Sequence, residues 1–160
     1  MPDSPKSRRA RARKQLGIPA PVLEFKIKME PWVKNAMVWT VKIFKTRGQM
    51  RRYLKFTRPD WKHEEDWAFT DQKAHEVSFC LWTCTDNCVT HEAYHMAAFW
   101  ALWWAGNAKV GRSLGLARCI EWDTVSHERM AEAVGNIVSQ FWKSFTDAGY
   151  PRSECHGWPK

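Results

Sequence analysis

Apolar and polar positions alternate over residues 22–29 (VLEFKIKM), the period-two pattern of a strand with one buried face. Pro31 interrupts it, and 36–44 (AMVWTVKIF) follows as a second strand, dense in β-branched and aromatic side chains. The period then changes. Over 46–56 (TRGQMRRYLKF), Met50, Tyr53 and Leu54 fall at helical spacing among Arg and Lys, although Gly48 weakens a helix there. Residues 58–71 show no period, hold Pro59 with scattered charge and Trp, and read as a loop. Alternation returns over 74–83 (AHEVSFCLWT), with Val77, Phe79 and Leu81 on one face, and this strand runs almost directly into a helix. Asp86 and Asn87 are the expected cap. No Gly or Pro occurs from Cys88 to Ala105, and Gly106 supplies the stop. That helix is apolar nearly all round and is expected at the centre of the fold. After a Gly-containing connection over 107–123, a second long helix spans 124–147, with Met130, Val134, Ile137, Val138, Phe141 and Phe145 as its core stripe. The order predicts a single α+β domain over residues 21–150: a small mixed sheet packed on two long helices. A basic, disordered arm (1–20) and a short tail (151–160) flank it.

Composition changes this picture in two places. The chain of 160 residues carries eleven Trp, most of them after residue 60, so the heavy apolar load lies in the middle and at the end. The net charge of +8 is unevenly placed: residues 1–14 hold six basic side chains against Asp3, a local +5 that leaves only +3 elsewhere. Arg8, Arg9, Arg11, Arg13 and Lys14 are the candidates for contact with nucleic acid or another acidic partner. No apolar segment follows the basic start, and the longest apolar stretch, 96–105, is too short to span a bilayer. With five cysteines, an odd number, a cytoplasmic protein with reduced thiols and no membrane partner is expected.

The chemistry sits at His91-Glu92-Ala93-Tyr94-His95, inside the first long helix. Two His four apart project from one side of a helix, one turn above the other, so both imidazoles can reach one Zn²⁺ at about 2.0–2.1 Å. Glu92 is turned about a third of the way round, beside the metal and able to act as a general base. Composition alone would produce this motif by chance on the order of 1 time in 100. The helical and apolar context makes chance a still weaker account, because buried imidazoles and a carboxylate need partners. A third ligand must come from another segment, and Glu121, Asp123, His127, Glu128 and Glu132 are the candidates.

HEAYH followed by Glu128-Arg-Met-Ala-Glu132 resembles the minimal gluzincins, zinc metallopeptidases with an E-x-x-A-[N/E] helix a few tens of residues downstream. The resemblance covers roughly residues 74–145. It implies a zincin-like fold, Zn²⁺ held by His91, His95 and Glu128 (with Glu132 or His127 as the alternative third ligand), Glu92 as general base, and a peptide or protein substrate. It also makes a phage or mobile-element origin an expectation. The metzincin pattern is absent, since Met96 and Ala97 follow His95. Zinc-dependent peptide hydrolysis is the expected activity, with the strand ending near Thr83 as the rail for an extended peptide. Tyr94 or His127 would assist at the carbonyl oxygen.

The alternative is a zincin-fold protein that no longer cleaves and acts as an interaction or regulatory module. Cys80, Cys84 and Cys88 lack the spacing of a zinc knuckle and read as buried small hydrophobes, with Cys119 or His75 the only companions for a second metal. Trp100, Trp103 and Trp104 read as core.

Overall fold

The computed structural model describes residues 16–30, 36–62, 66–106 and 124–150, with side chains 102–106 and 124–128 outside that description. Strands β1 (Leu23–Lys28) and β2 (Val38–Phe44) precede helix α1 (Arg47–Thr57). Strands β3 (Ala68–Asp71) and β4 (Glu76–Cys80) follow, and a single 3₁₀ turn (Leu81–Thr83) leads to helices α2 (Asp86–Gly106) and α3 (Thr124–Asp147). The fold is α+β.

The sheet order is β1-β2-β4-β3. β2 and β4 are parallel and in the middle, while β1 and β3 run antiparallel at the two edges. The parallel pair needs a crossover, and α1 with β3 fills it. Two expectations are corrected here. The stretch 58–71 is not all loop, because its last four residues pair with β4, Ala68 opposite Phe79 and Asp71 opposite Glu76. The strand expected over 74–83 ends at Cys80 and lies inside the sheet, with neighbours on both sides. A tight turn joins β3 to β4, and His75 closes it at φ 49. Its ring packs 5.2 Å from Trp39 and 5.4 Å from Phe99, which holds a conformation that costs most non-glycine residues energy.

Side chains on successive strand residues point to opposite faces, and that alternation builds three layers. Ile27, Trp39, Val41, Ile43, Val77 and Phe79 face α2 and α3, which add Val89, Ala93, Met96, Ala97, Ile137 and Phe141 to one large core. Phe44 faces the other way, into a smaller cluster with Met50, Tyr53, Leu54 and Trp61 beneath α1. Between α1 and the sheet lies a buried polar triad. Lys42 donates to Tyr53 and to Glu76, and Tyr53 donates to Glu76 at 2.8 Å, so every charge carried under α1 there has a partner.

Thr46 caps α1 by accepting from the Gln49 N–H at 3.2 Å. Gly48 therefore sits in the first turn, where its cost is small. For α2 the cap is Thr85, not Asp86 or Asn87: the Thr85 hydroxyl accepts from Cys88 N–H at 3.3 Å and its carbonyl from Val89 N–H at 2.9 Å. Asp86 falls inside the first turn, where its charge complements the helix dipole. Nor is α2 buried all round. Val89, Ala93, Met96, Ala97 and Trp100 are buried, but Thr90, His91 and Tyr94 are exposed. Among the described residues no helix is long and apolar enough to cross a membrane.

Candidate metal centre

The helical period sets the site. His91 and His95 stand one turn apart on the upper side of α2, and their Nε2 atoms lie 3.0 Å from each other. Two Zn–N bonds of about 2.05 Å at a tetrahedral angle separate their nitrogens by about 3.3 Å. The observed spacing therefore fits two imidazoles closing on one ion. Without an ion, one ring donates its Nε2–H to the other.

Glu92 occupies the adjacent position on the helix and turns inward, 6% exposed. Its Oε2 accepts from the Thr70 hydroxyl of β3. Burial pushes the Glu92 carboxyl above the usual carboxylate range. The Thr70 hydrogen bond and the two imidazoles pull it down, and the nearby Asp66 carboxylate pushes it up. The burial effect is the largest.

These groups share one opening of about 410 Å³ between the helix and the edge strand. Asp66, Ala68, Phe69, Thr70 and Gln72 form one wall, and His91, Glu92 and His95 form the other. The sequence reading missed the β3 wall entirely. Thr70 reaches Glu92 across 22 residues of chain, a contact that no local spacing encodes.

The other expected residues stand as follows. Glu121 and Asp123 lie outside the described residues. His127 and Glu128 are on α3, with side chains outside the description. Glu132 is exposed and does not line the cavity. Tyr94 is 51% exposed, its ring 6.3 Å from that of His95, and it also lies outside the cavity wall. Among the described residues no three His, Cys, Asp or Glu side chains gather as a metal cluster. Arg8, Arg9, Arg11, Arg13 and Lys14 fall in the segment not described.

Cys80 and Cys84 are buried thiols, Cys84 donating to the Cys80 carbonyl at 3.6 Å. Burial, with the Glu92 carboxylate close by, pushes the Cys88 thiol up to about 12. His75 is engaged with Trp39 and Phe99, and Cys119 lies outside the described residues.

No protein-family model, curated protein sequence or solved structure matches this chain.

Proposed function

We propose that this protein is a zinc-dependent peptide hydrolase of minimal zincin architecture. The reading rests on one observation: paired His91 and His95 nitrogens at ion-chelating distance, beside a buried Glu92 carboxylate that opens into the same cavity. His91 and His95 hold the metal through Nε2, and the helix α3 carboxylate Glu128 completes the set, with His127 as the alternative. Zinc bound by three protein ligands supplies a Lewis acid and an activated water.

The chain's own groups do the rest. Thr70 engages Oε2 of Glu92 and fixes the carboxylate plane, leaving Oε1 to take the proton of the attacking water and return it to the leaving amine. Burial keeps Glu92 basic enough for that transfer. The rail for an extended substrate is β3 and not β4, because β3 is the edge strand and forms the cavity wall.

Metal analysis of the purified protein, combined with cleavage of an unbiased fluorogenic peptide pool, tests this. One zinc per chain, lost in His91→Ala and in His95→Ala, and chelator-sensitive cleavage are expected. A protein that takes up no zinc overturns the proposal. Stoichiometric zinc with no cleavage assigns the protein to the non-cleaving, interaction-module alternative.

A further inference from the structure

The cavity beside the histidine pair carries a charge that the hydrolytic chemistry does not use. Asp66 lies on its wall just before β3, half-buried, and makes no side-chain hydrogen bond or ion pair among the described residues. Its carboxylate stands near enough to Glu92 to push that carboxyl up. Arg47 adjoins it but is committed to other groups. Its Nε donates to the Asp66 carbonyl at 3.3 Å, and its guanidinium lies 4.0 Å over the Trp67 ring. Lys73, exposed in the turn after Gln72, does not line the cavity. The wall therefore holds two acids, Asp66 and Glu92, and no Lys or Arg.

Strand geometry says what meets that charge. Thr70 faces α2 through its bond to Glu92, and Ala68, two residues earlier, packs into the large core on the same side. Asp66 continues that alternation towards the cavity. Asp71 turns the other way, to Arg58, and Phe69 packs against the cluster under α1. A peptide added along the open β3 edge alternates in the same manner, so every second side chain of it hangs over the cavity. The space there, about 410 Å³, has room for one long side chain.

The lining decides which side chain that is. Ala68 and Phe69 are the apolar groups on the wall, too little to cover an apolar side chain, which would also strip water from an unpaired carboxylate. An acidic side chain would face Asp66 and Glu92 together. Lys or Arg supplies the partner: the cationic head donates to Asp66 while the stem lies along Ala68 and Phe69.

We propose that Asp66 is a specificity residue, selecting an extended peptide that places a Lys or Arg side chain over the cavity. This deepens the hydrolase reading and rests on its peptide rail along β3, not on the cleavage step.

The test separates binding from hydrolysis. Full-length Glu92→Gln protein, supplied with zinc, is titrated with labelled, end-blocked octapeptide pools randomised except for a central Lys or norleucine, and anisotropy reads the affinity. The Lys pool is expected to bind about tenfold more tightly, the scale of one charge-assisted hydrogen bond at a half-buried carboxylate. Adding Asp66→Asn should remove the preference, Asp66→Glu should keep it, and Asp66→Lys should invert it in favour of norleucine. Thermal unfolding at the parent midpoint confirms that the variants are folded. Equal affinity for the two pools overturns the proposal, as does a Lys preference that survives Asp66→Asn. Mass spectrometry of the same pools after incubation with wild-type protein distinguishes this failure from that of the hydrolase. Cleavage with no preference for Lys or Arg removes the role of Asp66 and leaves the hydrolase standing. Lys-selective, Asp66-dependent binding without cleavage does the reverse.

Discussion

The two edges of the sheet are treated in opposite ways. At β1, the side-chain amide of Gln140 from α3 accepts from Lys28 N–H at 3.0 Å and donates to Lys28 carbonyl at 2.8 Å. It stands in for the strand that is not there. At β3, bonds from Arg47 and Thr83 take the carbonyls of Asp66 and Trp67 just before the strand. Along Ala68–Asp71 itself, among the described residues, nothing outside the sheet bonds the backbone. An unpaired edge is a hazard that proteins normally cover. The edge left open here is the one beside His91, Glu92 and His95, which is where an extended peptide would gain from pairing.

The comparison is broken most strongly at the cavity. Glu92→Gln is expected to lower hydrolysis by about 10²–10⁴-fold, the contribution of a general base, while zinc content stays at the wild-type level by metal analysis. Gln140→Ala at the far edge leaves hydrolysis within about twofold, because nothing there touches the chemistry. Thr70→Val removes the hydroxyl that holds Glu92. We expect kcat to fall by about tenfold with KM little changed, the signature of a lost transition-state interaction, and Thr70→Ser to restore it. Equal loss in both variants would show that Thr70 acts only through packing.

At β1 the expected effect is on the fold. Gln140→Ala destabilises by about 1 kcal/mol, the net worth of its exposed hydrogen bonds, and raises self-association in sedimentation because the edge is bared. The smallest effect is a pH dependence. Burial raises Glu92 in the folded, metal-free chain, whereas an unfolded Glu titrates at about 4.3. The folded state therefore binds more protons between those values, and its stability falls as pH rises through them. Glu92→Gln cannot titrate, so its stability advantage over wild type should grow with pH across that window and then level off. Urea unfolding in chelator at about pH 4 and about pH 8 reads the difference, and an advantage that shrinks with pH contradicts the assigned burial.

The histidine pair and Glu92 were legible because helical spacing is a local property, written in five consecutive residues. The α+β class and the neighbourhoods of six elements followed from period changes of the same local kind. Strand β3 did not. Four residues ending in Asp71 carry too little alternation to register, and they become a strand only because β4 supplies a ladder. Thr70 as Glu92's partner was hidden for the same reason. The cap of α2 was misplaced by one residue because Thr85, Asp86 and Asn87 are all good capping types, and only backbone geometry chooses among them. The rail moved from β4 to β3 once sheet order was known, and order depends on contacts across the chain.

The Lys42–Tyr53–Glu76 triad has a further consequence. Greasy side chains alone would let α1 slide or roll on the sheet at little penalty, since one apolar contact replaces another. A buried ammonium and carboxylate tolerate no such exchange, for any displacement strands a charge away from water. The triad keys the helix into a single seating, so the side chains on its outer surface hold fixed bearings relative to the strands beneath. That outer surface is a rigid template, and amide hydrogens along α1 should exchange only on global opening.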